Sequence, residues 1–158
     1  MRGGAQERIE PIPVTPPDPS VPLEPHELEA GLAVAARFRI AAFVVAYQAE
    51  GHIEQTLARI PAALRERLAE IYVVDDSSGD ATVEVAKRLM AKVPNLRVYR
   101  TPFNQGYGGN QKIGYRYALD RGFDIVVLLH GDGQYAPEVM PRLLGLLPEG
   151  SLLYVYAK

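Results

Sequence analysis

The sequence predicts an α/β fold: a Rossmann-like three-layer αβα sandwich with a mainly parallel sheet. Three observations predict it. Strand-like and helix-like segments alternate four times between residues 39 and 147. The strand-like segments are short, continuous apolar runs, as expected of strands buried on both faces. Each run then gives way to acids, amides and glycines, and in parallel sheets ligands bind beyond the carboxyl ends of the strands.

The elements follow in order. Residues 1–25 hold seven of the thirteen prolines, at 11, 13, 16, 17, 19, 22 and 25. Proline lacks the amide donor and restricts the residue before it, so this stretch reads as an extended, disordered arm. Residues 26–38 read as a short linker helix. "RIAAFVVAY" (39–47) is a β-branched apolar run and the first strand. "HIEQTLARIPAALRERL" (52–68) has helical spacing at Ile53, Leu57, Ile60, Leu64 and Leu68, with Pro61 interrupting it. "EIYVVDD" (70–76) is a second strand and "DATVEVAKRLMAKV" (80–93) a helix. "LRVYR" (96–100) is a third strand. "YGGNQKIGYRYALDRG" (107–122) is helical after its glycines, with Gly122 as its cap. "FDIVVLLH" (123–130) is a fourth strand, "APEVMPRLLGLL" (136–147) a fourth helix and "LLYVYA" (152–157) a candidate fifth strand. Residues 39–158 thus form one domain.

Composition narrows the function classes. The chain has 158 residues, of which 47% are hydrophobic, enough for one cored domain. A net charge of −2 gives no electrostatic case for nucleic acid as a partner. Without cysteine, disulfides and thiolate metal sites are ruled out. No apolar run reaches the ~18 residues that span a bilayer. "MRGGAQERIEPIPVTPP" lacks the apolar core of a secretory signal, so a cytoplasmic chain is expected.

Four polar clusters should meet on one sheet edge. They are Tyr47, Gln48 and Glu50; Asp75, Asp76, Ser77 and Ser78; Asn104 to Gly109; and His130, Asp132 and Gln134. Taken singly, "DDSSGD" could be only a turn and helix cap, "GYGG" only a turn, and His130 only a structural histidine. Asp132 and Gln134 stand at i and i+2, on the same side of an extended segment. Two oxygen ligands there suit Mg²⁺ or Mn²⁺, with the metal holding a substrate's phosphates. Acids at strand ends also pair with ribose hydroxyls and base N–H groups. The edge therefore reads as a metal-bridged nucleotide site. The absence of G-x-x-x-x-G-K-[ST], and of G-x-G-x-x-G after the first strand, counts against a P-loop ATPase and a dinucleotide dehydrogenase.

"FVVAYQAEGHIEQTLARIP" (43–61), "IYVVDDSSGDAT" (71–82), "NQGYGGNQKIGYRYAL" (104–119) and "DIVVLLHGDGQYAPE" (124–138) resemble the family-2 glycosyltransferases of GT-A fold, near the dolichyl-phosphate mannose synthase-like branch. The resemblance implies metal-assisted, inverting transfer of a sugar from a UDP- or GDP-sugar to an acceptor. Polyprenyl phosphate is the acceptor that the branch implies, which would place the work at the cytoplasmic membrane face. Tyr47 and Glu50 match the motif that contacts the nucleoside, with Gln48 in place of the usual asparagine. Asp75 and Asp76 match acids that bind base and ribose, and Lys112 falls near the donor diphosphate. "HGDGQ" aligns with the D-x-D-type metal motif: His130 replaces its first aspartate, while Asp132 and Gln134 match the metal-ligating acid and its partner. The family domain continues past a fifth strand, and "GLLPEGSLLYVYAK" (145–158) departs from the expected acidic, glycine-rich continuation. The expectation is a donor-binding half, incomplete at its C-terminus, with acceptor site and general base outside it. An inactive nucleotide-binding remnant is one alternative. A phosphorelay receiver is another, weakened because the paired acids follow the second strand and the third strand ends at Arg100 without an acid.

Overall fold

A computed structural model describes residues 20–147 and the backbone of residues 155 and 156. Most of the proline-rich arm, and most of the stretch expected as a fifth strand, lie outside the described residues. The described residues form five parallel strands: β1 (Ile40–Ala46), β2 (Glu70–Asp75), β3 (Leu96–Arg100), β4 (Ile125–His130) and β5 (Val155–Tyr156). Their order across the sheet is β3-β2-β1-β4-β5. That is the doubly wound order with its switch point between β1 and β4, and the receiver-type order of 2-1-3-4-5 is excluded. β1 pairs on both sides and is buried along its whole length. Among the described residues β3 pairs with β2 alone, and it is exposed along most of its length.

Helices cover both faces. On one face Ile40, Ala42, Val44 and Ala46 of β1 pack with the apolar residues of α2 (Ile53–Ala58), α3 (Ala62–Arg65), α4 (Thr82–Leu89) and α6 (Met140–Gly145). On the other, Ala41, Phe43 and Val45 pack under α5 (Gly106–Arg121) through Ala118, Tyr115 and Tyr117. The alternation along β1 follows from the two-residue period of a strand. Pro61 divides α2 from α3, as its missing donor requires. α5 ends at Gly122 with φ +66°, the left-handed cap that glycine adopts without a Cβ penalty. The segment expected as one helix over 136–147 opens instead with a 3-10 turn, Pro137–Val139, before α6.

α1 (Pro25–Arg37) differs from the linker helix expected at 26–38. It is part of the packed layer, because Gly31 lets it close on α6. A Cβ there would stand 2.5 Å from Pro141 Cα. Arg142, 8% exposed, fastens the pair by donating to Glu27 Oε1 at 2.7 Å, to Glu27 Oε2 at 2.9 Å, and to the carbonyls of Val21 and Pro22. These bonds hold Glu27 below the ordinary carboxylate range, with a backbone hydrogen bond from Glu24 helping.

α5 sits unusually close to the sheet. Gly114 lies over the Phe43 ring, and Tyr72 donates its hydroxyl hydrogen to Gly114 O at 3.0 Å. This approach places the first turns of α5 beside the carboxyl ends of β1, β2 and β4.

Candidate functional site

The strand register sets the ends of three strands level. Ala46 of β1 lies opposite Asp75 of β2, and Val45 lies opposite His130 of β4. Beyond them opens a cleft of about 400 Å³, lined by Val45, Ala46, Tyr47, Asp76, Asn104, Gly106, Tyr107, Asn110, His130 and Asp132. It lies at the switch point, where α/β sheets bind ligands, and its size is that of a small-molecule site.

Of the residues singled out in the sequence, Tyr47, Asp76, Asn104, Gly106, Tyr107, His130 and Asp132 meet here. Tyr47 is half exposed at the lip. Asp76 is 3% exposed. Its Oδ1 accepts from the Gln105 backbone N–H at 2.7 Å and from Thr101 Oγ1 at 3.1 Å. Those bonds tie the β3–α5 loop to β2 and fix the carboxylate in the cleft wall.

Asp75, Glu50, Lys112 and Gln134 do not line the cleft. Asp75 and Asp76 are adjacent, so their side chains leave the strand in opposite directions. Asp75 is fully buried, accepts from the backbone and hydroxyl of Ser78, and pairs with Arg100 at 3.5 Å. Ser78 Oγ in turn accepts from Gln48 N at 2.9 Å, joining the ends of β1 and β2. Gln48 (φ +48°) and Ser77 (φ +61°) hold left-handed backbone here, a conformation that costs non-glycine residues and gathers at functional sites. Glu50 is exposed and turns toward the start of α4: its Oε2 accepts from Ala81 N at 3.1 Å. The turn weighed for "DDSSGD" is present, with Asp75 accepting from Ser78 N and Asp80 Oδ1 from Thr82 N at 3.1 Å, but the N-cap of α4 is Ala81 and carries no side-chain cap bond. Lys112 stands two residues after Asn110, which puts it on another face of α5, exposed.

The pairing of Asp132 with Gln134 rested on an extended segment, and that premise is corrected. Gly133 has φ +78° and turns the chain. Gln134 contributes its backbone N–H, which donates to Asp132 Oδ1 at 3.0 Å, and its side chain is exposed away from the lining. His130 ends β4 against Tyr135 (ring centroids 4.1 Å) and Tyr107 (5.2 Å). Its Nε2 shares a 2.9 Å hydrogen bond with the Tyr107 hydroxyl. Burial pushes this imidazole below its ordinary range, while the Asp132 charge pulls the other way.

Tyr107 belongs to the cluster expected at this edge, whereas Asn110 is a cleft residue that the sequence reading did not name. Their i, i+3 spacing puts both on one face of α5, a signal readable once the helix start is fixed.

The electrostatics are one-sided. Among the described residues two carboxylates, Asp76 and Asp132, line the cleft, and no lysine or arginine does. Among the described residues no group of three His, Cys, Asp or Glu side chains could cage an ion. Such a wall suits a divalent ion that arrives with an anionic phosphate group and takes one or two protein carboxylates plus phosphate oxygens. The donor set therefore fits Mg²⁺ or Mn²⁺ of that kind.

The family model described as glycosyl transferase family 2 matches residues 41–157. An undecaprenyl-phosphate mannosyltransferase of Micrococcus luteus is 34% identical over 106 residues, covering 67% of this chain and 43% of the relative. A dolichol-phosphate mannosyltransferase of Pyrococcus furiosus is 32% identical over 113 residues, covering 72% of this chain and 31% of the relative. The chain thus spans less than half the length of these curated relatives. Among solved structures, a mannosyltransferase of Pyrobaculum calidifontis in complex with GDP-mannose and Mn²⁺ superposes with TM-score 0.59 at 21% identity, over 79% of this chain and 42% of that one. A glucosyl-3-phosphoglycerate synthase of Mycobacterium tuberculosis, in complex with Mn²⁺, UDP and phosphoglyceric acid, superposes with TM-score 0.58 at 25% identity, over 78% and 44%.

Proposed function

The chain belongs to glycosyl transferase family 2, and from that premise we propose that its cleft holds the nucleotide half of a UDP- or GDP-sugar, for transfer of the sugar to polyprenyl phosphate with inversion. The observation that carries the reading is the cleft at the switch point, with carboxylates at both of its ends and no cationic side chain among the described residues that line it. Tyr47 and Asp76, at the ends of β1 and β2, take the nucleoside: the ring offers a stacking face and the carboxylate accepts from N–H or hydroxyl groups. Asp132, after β4, faces the diphosphate.

Two like charges in contact repel, so a carboxylate beside a diphosphate needs a cation between them. Asp132 would hold a Mg²⁺ or Mn²⁺ ion there, with His130 as the nearest nitrogen donor. When bound, the ion supplies Lewis-acid neutralisation of charge on the leaving nucleoside diphosphate. The chain's own residues do the placing. The Gln134 N–H holds Asp132 Oδ1 in the turn. The Tyr107 hydroxyl holds the His130 ring. Asp75, with Ser78, and Glu50, with Ala81, hold the loops that carry Tyr47 and Asp76. A phosphate acceptor is already ionised and needs little help from a general base. The relatives act on undecaprenyl phosphate and dolichol phosphate by name, which supports a lipid-linked acceptor met at a membrane surface. No described helix is long and apolar enough to cross a membrane.

Calorimetric titration of the chain with UDP and GDP, each with and without Mn²⁺, tests the proposal. Metal-dependent binding that disappears in Asp132→Ala is expected. Binding indifferent to Mn²⁺, or equal in the variant, would overturn it.

A further inference from the structure

One polar atom in the cleft wall has no partner. Asn110, in the second turn of α5, is 3% exposed and lines the cleft beside Asp76. Its Nδ2 donates to Val74 O at 2.9 Å, which fixes the orientation of the amide and leaves Oδ1 as its free end. Oδ1 accepts no hydrogen bond and is closed to solvent. Buried acceptors in this condition are rare in folded proteins. The neighbouring Asp76 is also an acceptor, its Oδ1 already serving Gln105 and Thr101. At the β2 end of the cleft, therefore, both polar side chains ask for hydrogen-bond donors.

Resting on the nucleotide reading above, we propose that Asn110 is a specificity-determining residue whose Oδ1 accepts a hydrogen bond from the ring N–H of the donor's base. Val74 O places Asn110 over β2, at the opposite end of the cleft from Asp132 on β4, the end that the nucleotide reading gives to the nucleoside. Uracil carries a ring N–H at N3 and guanine one at N1. Cytosine at N3 and adenine at N1 carry a lone pair at the corresponding edge, and two acceptors facing each other leave both unpaired. The residue thus selects uridine or guanosine donors over cytidine and adenosine donors. Contact requires a local shift of the wall. The adjoining first turn of α5 contains Gly106, Gly108 and Gly109, which present no side chains for such a shift to displace.

The test is titration of the full chain, with Mn²⁺ present, against UDP, GDP, CDP, ADP and inorganic pyrophosphate, for the wild type and Asn110→Leu. The wild type should prefer UDP to CDP, or GDP to ADP, by about tenfold or more. Asn110→Leu should lose that preference while pyrophosphate binding stays the same. A wild type without the preference, or a preference that survives in the folded variant, overturns the proposal. If Asn110→Leu does not fold, N3-methyl-UDP and 1-methyl-GDP on the wild type decide. Each must bind more weakly than its parent, and equal binding overturns the proposal. A wild type that binds pyrophosphate and Mn²⁺ but shows no base effect sinks only this inference. A wild type that binds no nucleotide at all sinks the function reading, and this one with it.

Discussion

Gly114→Ala changes one hydrogen to a methyl, and the structure gives its effect a sign. The new Cβ would stand 1.9 Å from Phe43 Cζ and 2.2 Å from Cε1. Carbon atoms normally rest ~3.5–4.0 Å apart. Phe43 has no room to yield: it is fully buried, stacked on Tyr72 at 4.9 Å with 6° between planes, and edge-on to Tyr115 at 5.7 Å. α5 must therefore retreat by about 1.5 Å to restore contact distance. That retreat stretches the 3.0 Å bond from the Tyr72 hydroxyl to Gly114 O. Overpacking of this kind costs about 1–3 kcal/mol, and the weakened hydrogen bond adds about 1 kcal/mol. The helix itself gains roughly 0.5–1 kcal/mol from replacing glycine with alanine. The net is a loss of about 1–3 kcal/mol, or roughly 3–10 °C in Tm for a chain of this size. Gly108→Ala is the control on the same helix, because nothing lies within 4 Å of its Cβ position. It should raise stability by up to about 1 kcal/mol. Thermal and urea unfolding of both variants check this. A Gly114→Ala protein as stable as Gly108→Ala would refute the close docking of α5, and with it the placement of Tyr107 and Asn110 over the cleft.

Three further outcomes follow from named contacts. Asp76→Ala strands the Gln105 N–H and the Thr101 hydroxyl and should cost about 1–3 kcal/mol on unfolding, whereas Asp76→Asn keeps an acceptor and most of that stability. Both should weaken nucleotide binding in a titration, separating the loop-holding role of Asp76 from its ligand role. Glu27→Gln should lower Tm at pH 7. Because Arg142 holds the Glu27 carboxyl below its ordinary value of 4.5, the stabilisation is complete above that value and is lost as the pH falls through the depressed one. The Tm difference between wild type and Glu27→Gln should accordingly close in acid, and a difference that is independent of pH would contradict the α1–α6 ion pair. Tyr107→Phe removes the phenol that holds His130 Nε2 and should alter the imidazole nitrogen shifts in NMR. Unchanged shifts would mean the pair does not form in solution.

Much of the fold was legible because it is written in periods. The apolar run of β1, the interruption at Pro61 and the glycine cap at Gly122 each follow from one local rule, and all stand where the sequence put them. The site was legible only as a neighbourhood. Adjacent Asp75 and Asp76 look alike in the sequence, yet the strand turns one into the core and the other into the cleft. Lys112 looked close to a phosphate, but α5 rotates it away from the face that carries Tyr107 and Asn110. Gln134 looked paired with Asp132 until Gly133 turned the chain between them. α1 looked like a linker because its contacts, Gly31 on Pro141 and Glu27 with Arg142, join residues more than a hundred positions apart. Strand alternation says that Asp75 and Asp76 part but not which faces the cleft, the Gly133 turn is a local backbone choice, and the docking of α1 and of α5 is long-range packing that local periodicity does not encode.

The central claim is that the cleft between β1, β2 and β4 holds a nucleoside diphosphate with its base toward β2. A crystal structure of the chain with Mn²⁺ and whichever of UDP or GDP binds more tightly tests it most directly. The base should lie against Tyr47, Asp76 and Asn110, and the diphosphate with its ion at Asp132. A nucleotide lying elsewhere on the molecule, or reversed in the cleft with its phosphates at Asp76, would contradict it.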